Sequence, residues 1–291
     1  MLAGGASKGA EPVGILSELK PKYDVYIGSS TGSLIALLAA CQKWDYLIEA
    51  YSTTTNKQMY GFLSPFTKKG KLNKISLSIA ALNMLRKNRL HMYDLGAPLM
   101  EKVKQYFSVH DYNKLLRPGK EIEVIVTAKC IDKKGVYTSY ISNRDEDMYY
   151  EKFINFVVAS ASIPFFAKPR EIQGLKWVDG GLLDPSPTWV IDERFGDAQV
   201  DVFLMQSKRG EEERYNPVDG PFELAAHLFS DMRNEISRND FSIIKNPNVR
   251  LCYSTYKEQP AANFDPELMK EWIKWGRDRV KKGELEFEPL R

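Results

Sequence analysis

The feature that most constrains this chain is a glycine-flanked serine motif between two apolar runs. Residues 25–27 suit a buried strand, and residues 33–40 are apolar almost all round, as expected of a buried helix. Between them, Gly28 and Gly32 flank Ser30 in the order G-x-S-x-G. This order predicts a sharp strand–turn–helix elbow, with glycine at both positions because a Cβ would clash there. Ser30 is therefore the candidate nucleophile.

Composition limits the classes of protein to which the chain can belong. Of its 291 residues, 43% are hydrophobic and 27% are charged, so a substantial core is expected. A net charge of +3 is too small to predict nucleic acid binding. The three cysteines, Cys41, Cys130 and Cys252, are scattered and odd in number. They argue against a disulfide framework and favour a reducing compartment. No spacing typical of metal ligands occurs, so we expect no metal site.

Targeting signals are not evident in the sequence. Met1 is followed almost at once by Gly4 and Gly5, which leaves no room for an apolar leader. No apolar run is long enough to span a bilayer. We therefore expect a cytoplasmic protein that meets a membrane, if at all, from its surface.

The first ten residues form a short apolar strand followed by a glycine-rich loop, residues 4–9, and the start of a helix. Such a loop presents backbone N–H groups at a helix start, where anions bind. One interpretation is an oxyanion hole serving Ser30. Another is a dinucleotide phosphate loop, which is weaker because that spacing requires glycine where Ala6 stands. An ordinary glycine turn is the third interpretation.

Two later motifs make a family resemblance specific. Within residues 159–169, the sequence A-S-A-S-I-P fits the pattern Ala-Ser-x-x-Ile-Pro, and Asp179 is followed by Gly180 and Gly181. With the glycine-rich loop and the serine elbow, these motifs stand in the order found in the patatin-like phospholipases, which residues 1 to about 205 resemble. The chain departs from the usual pattern at Ala6 and Lys8, and in the Asp184-Pro185 run that follows the last motif.

The resemblance implies a fold, a reaction and a set of site residues. The implied fold is a three-layer α/β/α sandwich with a mainly parallel central sheet. The implied activity is that of a serine lipid acyl hydrolase that cleaves phospholipids or related acyl lipids through a Ser30–Asp179 dyad and an acyl-enzyme, without a metal or organic cofactor. The backbone N–H groups of Gly4, Gly5 and Ala6 would form the oxyanion hole. The residues that support these motifs are Lys8, Gly9, Gly28, Gly32, Gly180 and Gly181.

Histidine offers a competing mechanism. Serine hydrolases usually use a histidine base held by a carboxylate. The chain order Ser30, Asp179, His227 would match a triad of the α/β-hydrolase type. However, His227 lies in a helix-like stretch, and His91 and His110 have no motif around them, so we expect the dyad.

A basic segment distinguishes residues 50–93, which contain no Asp or Glu. Its cations are Lys57, Lys68, Lys69, Lys71, Lys74, Arg86, Lys87 and Arg89. Residues 75–85 between them are apolar at helical spacing. This segment could contact an anionic membrane or form a lid over the acyl site, or it could simply pack on the domain with its lysines in water.

Hydrophobic patterns predict how the remaining chain is organised. We expect helices over residues 44–60, 148–160 and 222–236, a strand over 121–130 that enters a hairpin, and another strand over 200–205. Asp265 and Pro266 should begin a final helix. The predicted organisation is a catalytic domain over 1–205 with a C-terminal helical extension, 206–291, packed on it.

Several functional alternatives remain open at this stage. The same fold could act on neutral lipids, transfer acyl groups, or bind lipid without catalysis. A nucleotide-binding function would use only the first loop. The sequence does not indicate an oligomeric state.

Overall fold

The computed structural model describes residues 1–67, 71–119, 121–182, 184–208, 221–255 and 262–290. The α-helices in these ranges are α1 Ala10–Leu19, α2 Thr31–Ala40, α3 Trp44–Thr53, α4 Asn56–Tyr60, α5 Lys74–Arg86, α6 Gly96–Tyr106, α7 Val109–Leu115, α8 Tyr150–Ser160, α9 Trp189–Arg194, α10 Pro221–Ile243 and α11 Pro266–Lys281. The strands are β1 Val25–Ser29, β2 Glu123–Asp132, β3 Gly135–Ser142, β4 Arg170–Ile172, β5 Leu175–Asp179, β6 Val200–Phe203, β7 Val249–Cys252 and β8 Glu288–Pro289.

One mixed sheet runs through the molecule. Its central strands are parallel, because β1 pairs with β2, β6 pairs with β7, and Leu2 bridges Gly28 on one side and Phe203 on the other. Antiparallel strands complete it: β3 and β5 pair with β2, β4 pairs with β5, and β8 pairs with β7. The predicted α/β fold with a mainly parallel central sheet is confirmed.

Both faces of the sheet are buried, as a three-layer fold requires. Alternate residues of β2 point to opposite faces. Val124 and Val126 join a core that includes residues of α1, α2, α8 and α11. Ile125 joins a second core with Ile191 of α9 and Phe241 of α10. The sheet therefore lies between two helical layers.

The C-terminal part of the chain is woven into this fold. The sequence analysis expected a helical extension after residue 205, but this segment also contains strands, because β7 pairs with β6 and β8 pairs with β7. Helix α11 packs on α1, and a Cβ at Gly14 would lie 2.1 Å from the Ile273 carbonyl oxygen. A buried ion pair, Arg279 Nη1 to Glu11 Oε1 at 2.7 Å, joins the same two helices. The division at residue 205 stays a prediction.

Helix boundaries differ from the predictions in two places. The helix predicted over residues 44–60 is broken into α3 and α4, because Thr55 and Gln58 form a capping box that begins a new helix. Helix α10 continues to Ile243, beyond the predicted end at 236. The final helix begins as predicted, with Asp265 as N-cap and proline in its first turn.

Candidate active site

The serine motif forms a sharp turn between β1 and α2. Ser30 has φ 54° and ψ −126°, in the left-handed region that a residue with a side chain rarely adopts. The turn needs glycine on both sides. A Cβ at Gly28 would lie 2.4 Å from the Gly32 carbonyl oxygen, and one at Gly32 would lie 2.3 Å from the Leu2 carbonyl oxygen. The surrounding backbone thus holds Ser30 in a strained conformation of the kind found at functional sites.

Sheet register brings Ser30 and Asp179 together. Strand β3 pairs with β2 over residues 125–132, so β1 and β5 must share the opposite edge of β2. They meet end to end there: Ser29 is opposite Thr127, and Asp179 is opposite Ala128. Because β1 is parallel and β5 antiparallel to β2, their carboxyl ends face each other.

The two side chains form a direct hydrogen bond. Ser30 Oγ donates to Asp179 Oδ2 at 2.6 Å, and both residues are buried, at 5% and 3% exposed. The other carboxylate oxygen, Oδ1, accepts the backbone N–H of Gly181 at 2.7 Å. A Cβ at Gly180 would lie 2.2 Å from the Thr127 carbonyl oxygen. The glycines after Asp179 therefore let the chain turn tightly against β2 and orient the carboxylate.

Burial makes this carboxylate more basic than an ordinary aspartate. It raises the pKa of Asp179 from 3.8 to about 6, against the opposing effects of the Ser30 hydroxyl, the Arg233 guanidinium and the Gly181 N–H. Arg233 is half-buried on α10, and its Nε donates to the Gly181 carbonyl oxygen at 3.0 Å. A group with a pKa near 6 is ionised at pH 7 and still able to accept a proton.

This environment predicts the pH dependence of any reaction that needs the Asp179 carboxylate. We expect kcat/KM on a soluble ester to rise with pH and to be half-maximal near pH 6, since the ionised form is the active one. Arg233→Gln removes a cation that lowers the pKa of Asp179, so its half-maximal point should move to higher pH. Arg233→Lys keeps the charge and is the control. An acid limb that is identical in wild type and Arg233→Gln would contradict this electrostatic assignment.

The glycine-rich loop lies next to the dyad, but its N–H groups are not equivalent. Gly4 N–H donates to the Pro185 carbonyl oxygen at 2.9 Å, so this group is engaged and does not fit the oxyanion role predicted for it. Within the residues that the structure describes, the Gly5 and Ala6 N–H groups donate to no backbone carbonyl. Ala6 has φ 50° and lines the same cavity as Ser30. Gly5 packs against Met205, where a Cβ would lie 2.6 Å from that side chain.

The two remaining residues of this loop motif are Lys8 and Gly9. Lys8 is half-buried in a 3-10 turn, Ala6–Gly9, that leads into α1. Gly9 is buried, and a Cβ there would lie 2.6 Å from the Tyr51 hydroxyl. The loop therefore approaches α3 closely at its end.

Ser160 is a site residue that sequence reasoning did not identify. Its Oγ accepts the Ser30 N–H at 3.0 Å and donates to the Thr127 carbonyl oxygen at 2.5 Å. It also lies 2.7 Å from Ser33 Oγ. Ser160 thus connects the elbow to β2 and α2. It belongs to the motif of residues 159–169, which was the available signal.

Two other contacts near the dyad were also missed. Ser29 Oγ donates to the Asp184 carbonyl oxygen at 2.9 Å, and Tyr140 Oη donates to Asp184 Oδ2 at 2.7 Å. These bonds hold the chain after Gly181 against β1 and β3. Arg233 had no sequence signal, because it lies 54 positions beyond Asp179 on a helix with mixed charges.

An apolar cavity of about 100 Å³ opens at Ser30. It extends between α2, α3, α6 and the start of α11. Apolar and aromatic side chains dominate its wall, among them Leu34, Leu38, Tyr51, Leu99, Val103 and Met269. Ala161 and Ile163 of the Ile-Pro motif also line it. The site therefore combines a buried hydroxyl–carboxylate pair with an adjoining space suited to a hydrocarbon chain.

Among the described side chains, neither His91 nor His110 forms a hydrogen bond with Ser30 or Asp179. His91 is half-buried, and its Nδ1 lies 2.9 Å from the Tyr93 carbonyl oxygen. His110 is exposed on α7. His227 lies on α10, but its side chain is outside the described part of the structure. The hydrogen bonds seen at the Asp179 carboxylate come from Ser30 and Gly181.

Comparison with protein families connects this geometry to a known group. The family model described as patatin-like phospholipase matches residues 1–192. The chain belongs to this family. The matched range contains the glycine-rich loop, the Ser30 elbow and Asp179. Membership in the patatin-like phospholipases supports lipid acyl hydrolase activity in general terms. A search of curated proteins finds no match to the chain.

Proposed function

We propose that this patatin-like protein is a serine lipid acyl hydrolase that cleaves ester bonds of phospholipids or related acyl lipids. The observation that carries the proposal is the 2.6 Å hydrogen bond from Ser30 Oγ to Asp179 Oδ2 at the end of an apolar cavity. Serine is a poor nucleophile unless a base lies within hydrogen-bond reach. Asp179 lies within that reach, and its raised pKa suits it to the task.

The proposed reaction has two half-reactions through an acyl-enzyme. Ser30 Oγ attacks the ester carbonyl carbon while its proton passes to Asp179 Oδ2. The tetrahedral intermediate collapses, and the leaving alcohol takes the proton from Asp179. Water then attacks the acyl-serine carbonyl and gives its proton to Asp179, and the collapse of the second intermediate returns that proton to Ser30 Oγ. Asp179 thus serves as base and acid in turn, and the atoms balance without a cofactor.

Charge on the intermediate oxygen needs stabilising donors. The backbone N–H groups of Gly5 and Ala6 are the proposed oxyanion donors, since the Gly4 and Ser30 N–H groups are engaged by Pro185 and Ser160. Each such donor contributes on the order of 3 kcal/mol to the transition state. The N-terminus of α2, which begins at Thr31, adds favourable dipole potential beside Ser30.

The cavity supports an acyl lipid as substrate. Its wall beyond Ser30 is mostly aliphatic and aromatic, so a fatty acyl chain would gain hydrophobic free energy there, about 0.8 kcal/mol for each buried methylene. The substrate carbonyl would then lie at Ser30, near Ala6. Phospholipids are the first class to test. Neutral lipids share the acyl chain and are the natural comparison.

Product analysis on a mixed lipid panel tests the proposal. We expect wild-type protein to release free fatty acid from phospholipid, and Ser30→Ala protein to release none above background. A fluorophosphonate probe should label wild-type protein at Ser30 and leave the variant unlabelled. If wild-type protein releases fatty acid from neutral lipid alone, neutral lipid rather than phospholipid is the substrate class. Acyl transfer to an added alcohol without free acid would indicate a transferase. An unlabelled, folded wild-type protein would favour a lipid-binding module without catalysis.

A further inference from the structure

Strongly exposed apolar side chains are concentrated in one part of the described structure. Among all the described residues, seven large apolar side chains are more than 60% exposed. Six of them are in or next to the basic segment: Phe62 at 94%, Ile75 at 74%, Leu82 at 65%, Leu85 at 71%, Leu90 at 61% and Phe165 at 65%. The seventh, Ile243, ends α10. A concentration of this kind marks an interaction surface rather than a normal scatter of exposed residues.

Helix α5 presents most of this apolar surface. Ile75, Ile79 and Leu82 stand at i, i+4 and i+7, so they form one stripe along the helix, and all three are exposed. Leu77 and Ala80, on the opposite side, are buried at 4% and 2% exposed. The helix is thus attached to the protein by one apolar face and presents another to solvent.

The segment that carries this stripe has basic charges and no acidic ones in its sequence. Lys57, Lys71, Arg86, Lys87 and Arg89 are exposed, and no Asp or Glu occurs between residues 50 and 93. Lys57 Nζ lies 5.5 Å from the centre of the Phe62 ring, which places a cation beside the most exposed aromatic side chain. A surface of this composition matches the anionic headgroups and acyl boundary of a charged bilayer.

Helix α10 shows that exposed leucines alone do not make such a surface. Leu224 and Leu228 are 47% and 54% exposed at i and i+4. However, the α10 sequence contains Glu223, Asp231, Glu235 and Asp240 as well as arginines. Its mixed charge does not match an anionic bilayer, so α10 serves as an internal comparison.

The exposed surface lies on the outer side of the cavity wall. Ala80 of α5 packs in a cluster with Met59 and Tyr60, and both of these residues line the cavity. Phe165 lies two residues after Ile163, another lining residue, and its carbonyl oxygen accepts the Met92 N–H at 2.5 Å. A bilayer seated on this surface would therefore adjoin the elements that enclose the acyl cavity.

We propose that this surface docks the protein on an anionic lipid bilayer. The docking surface is defined by Phe62, Ile75, Leu82, Leu85, Leu90 and Phe165 with Lys71, Arg86, Lys87 and Arg89. None of the described helices is both long and apolar enough to cross a membrane. The proposal deepens the proposed function and rests on it for its purpose, since a lipid hydrolase must reach its substrate in a bilayer.

Vesicle binding by the Ser30→Ala protein tests the docking surface apart from hydrolysis. Sedimentation with vesicles of phosphatidylglycerol and phosphatidylcholine is compared with sedimentation in pure phosphatidylcholine. We expect the mixed vesicles to bind at least about tenfold more tightly, and less so at high salt. Two triple variants should each lose about tenfold or more in affinity for the mixed vesicles. The apolar variant combines Ile75→Ser, Leu82→Ser and Leu85→Ser. The charge variant combines Arg86→Gln, Lys87→Gln and Arg89→Gln.

Control variants change exposed apolar and basic residues outside the docking surface. The apolar control combines Leu224→Ser and Leu228→Ser, and a second control removes three basic charges. Both should bind the mixed vesicles within about twofold of the Ser30→Ala protein, as expected of ordinary surface changes. The charge control is Lys133→Gln, Lys134→Gln, Lys282→Gln. In an otherwise wild-type protein, the two docking variants should hydrolyse a short soluble ester at the wild-type rate, because none of their positions lines the cavity.

The results separate the two proposals. If the Ser30→Ala protein binds neither vesicle, or binds both equally and independently of salt, the docking proposal is wrong whatever the hydrolysis assays give. If the controls lose as much affinity as the docking variants, the location is wrong. If vesicles bind as expected while wild-type protein cleaves no ester, the docking surface stands and the proposed function fails.

Discussion

Replacing Asp179 with asparagine is expected to lower kcat/KM on a soluble ester by roughly 10³- to 10⁴-fold, because the variant loses its base in both half-reactions. Asparagine has nearly the same shape, so the hydrogen bonds to Ser30 and Gly181 can be replaced and the elbow kept. The measurement is a steady-state rate at pH 8, where the wild-type carboxylate is ionised. Fluorophosphonate labelling of Ser30 should slow in parallel.

Folding and an alternative base provide the controls for this variant. The pKa of Asp179 is raised to about 6 in the folded protein, so ionising it destabilises the fold as pH rises from about 4 to about 6. A neutral asparagine avoids that loss, and Asp179→Asn should be at least as stable as wild type at pH 8. His227→Ala should keep nearly full activity. The dyad assignment fails if His227→Ala removes activity while Asp179→Asn retains it.

Gly180→Ala is expected to destabilise the protein by on the order of 4 kcal/mol, a large effect for a single methyl group. The added Cβ would lie 2.2 Å from the carbonyl oxygen of Thr127, which is fully buried on β2. Either the sheet or the turn after Asp179 must move, so activity should be lost as well. Chemical denaturation monitored by fluorescence measures the loss.

Gly196→Ala is the matched control for that substitution. Its added Cβ would meet only the Asp192 carbonyl oxygen at 3.5 Å, an ordinary contact. We expect a change of less than about 0.5 kcal/mol, as for a surface substitution. Equal denaturation midpoints for the two variants would show that the close approach of Gly180 to β2 is not the constraint described above.

The elbow was predictable because its constraint is local. A strand, a serine between two glycines and an apolar helix require the same turn wherever the segment stands in a sequence. The hairpin between β2 and β3 and the start of α11 at Asp265 were predictable for the same reason. The α3–α4 break was missed because Trp44, Leu47 and Tyr51 keep an apolar helical pattern up to the break, and the capping box at Thr55 and Gln58 outweighed it.

The assembly of the site was beyond local reasoning. The family resemblance paired Ser30 with Asp179, but only the register on β2 shows how two strand ends meet at Thr127 and Ala128. The interactions of Arg233 and Ser160 with the dyad depend on long-range packing and have no short-range pattern. The Gly4 N–H was expected to be free, and its bond to Pro185 depends on a turn more than 180 residues away.

The pairing of Leu2 has a consequence for synthesis of the protein. Leu2 pairs with both Gly28 and Phe203, so the segment that leads into the glycine-rich loop cannot complete its pairing until β6 has left the ribosome. A nascent chain that ends before β6 already contains Ser30 and Asp179, but it lacks the Phe203 partner of Leu2 and the Met205 contact at Gly5. Hydrolytic competence should therefore arise late in translation, and a truncated product should not attack the lipids around it.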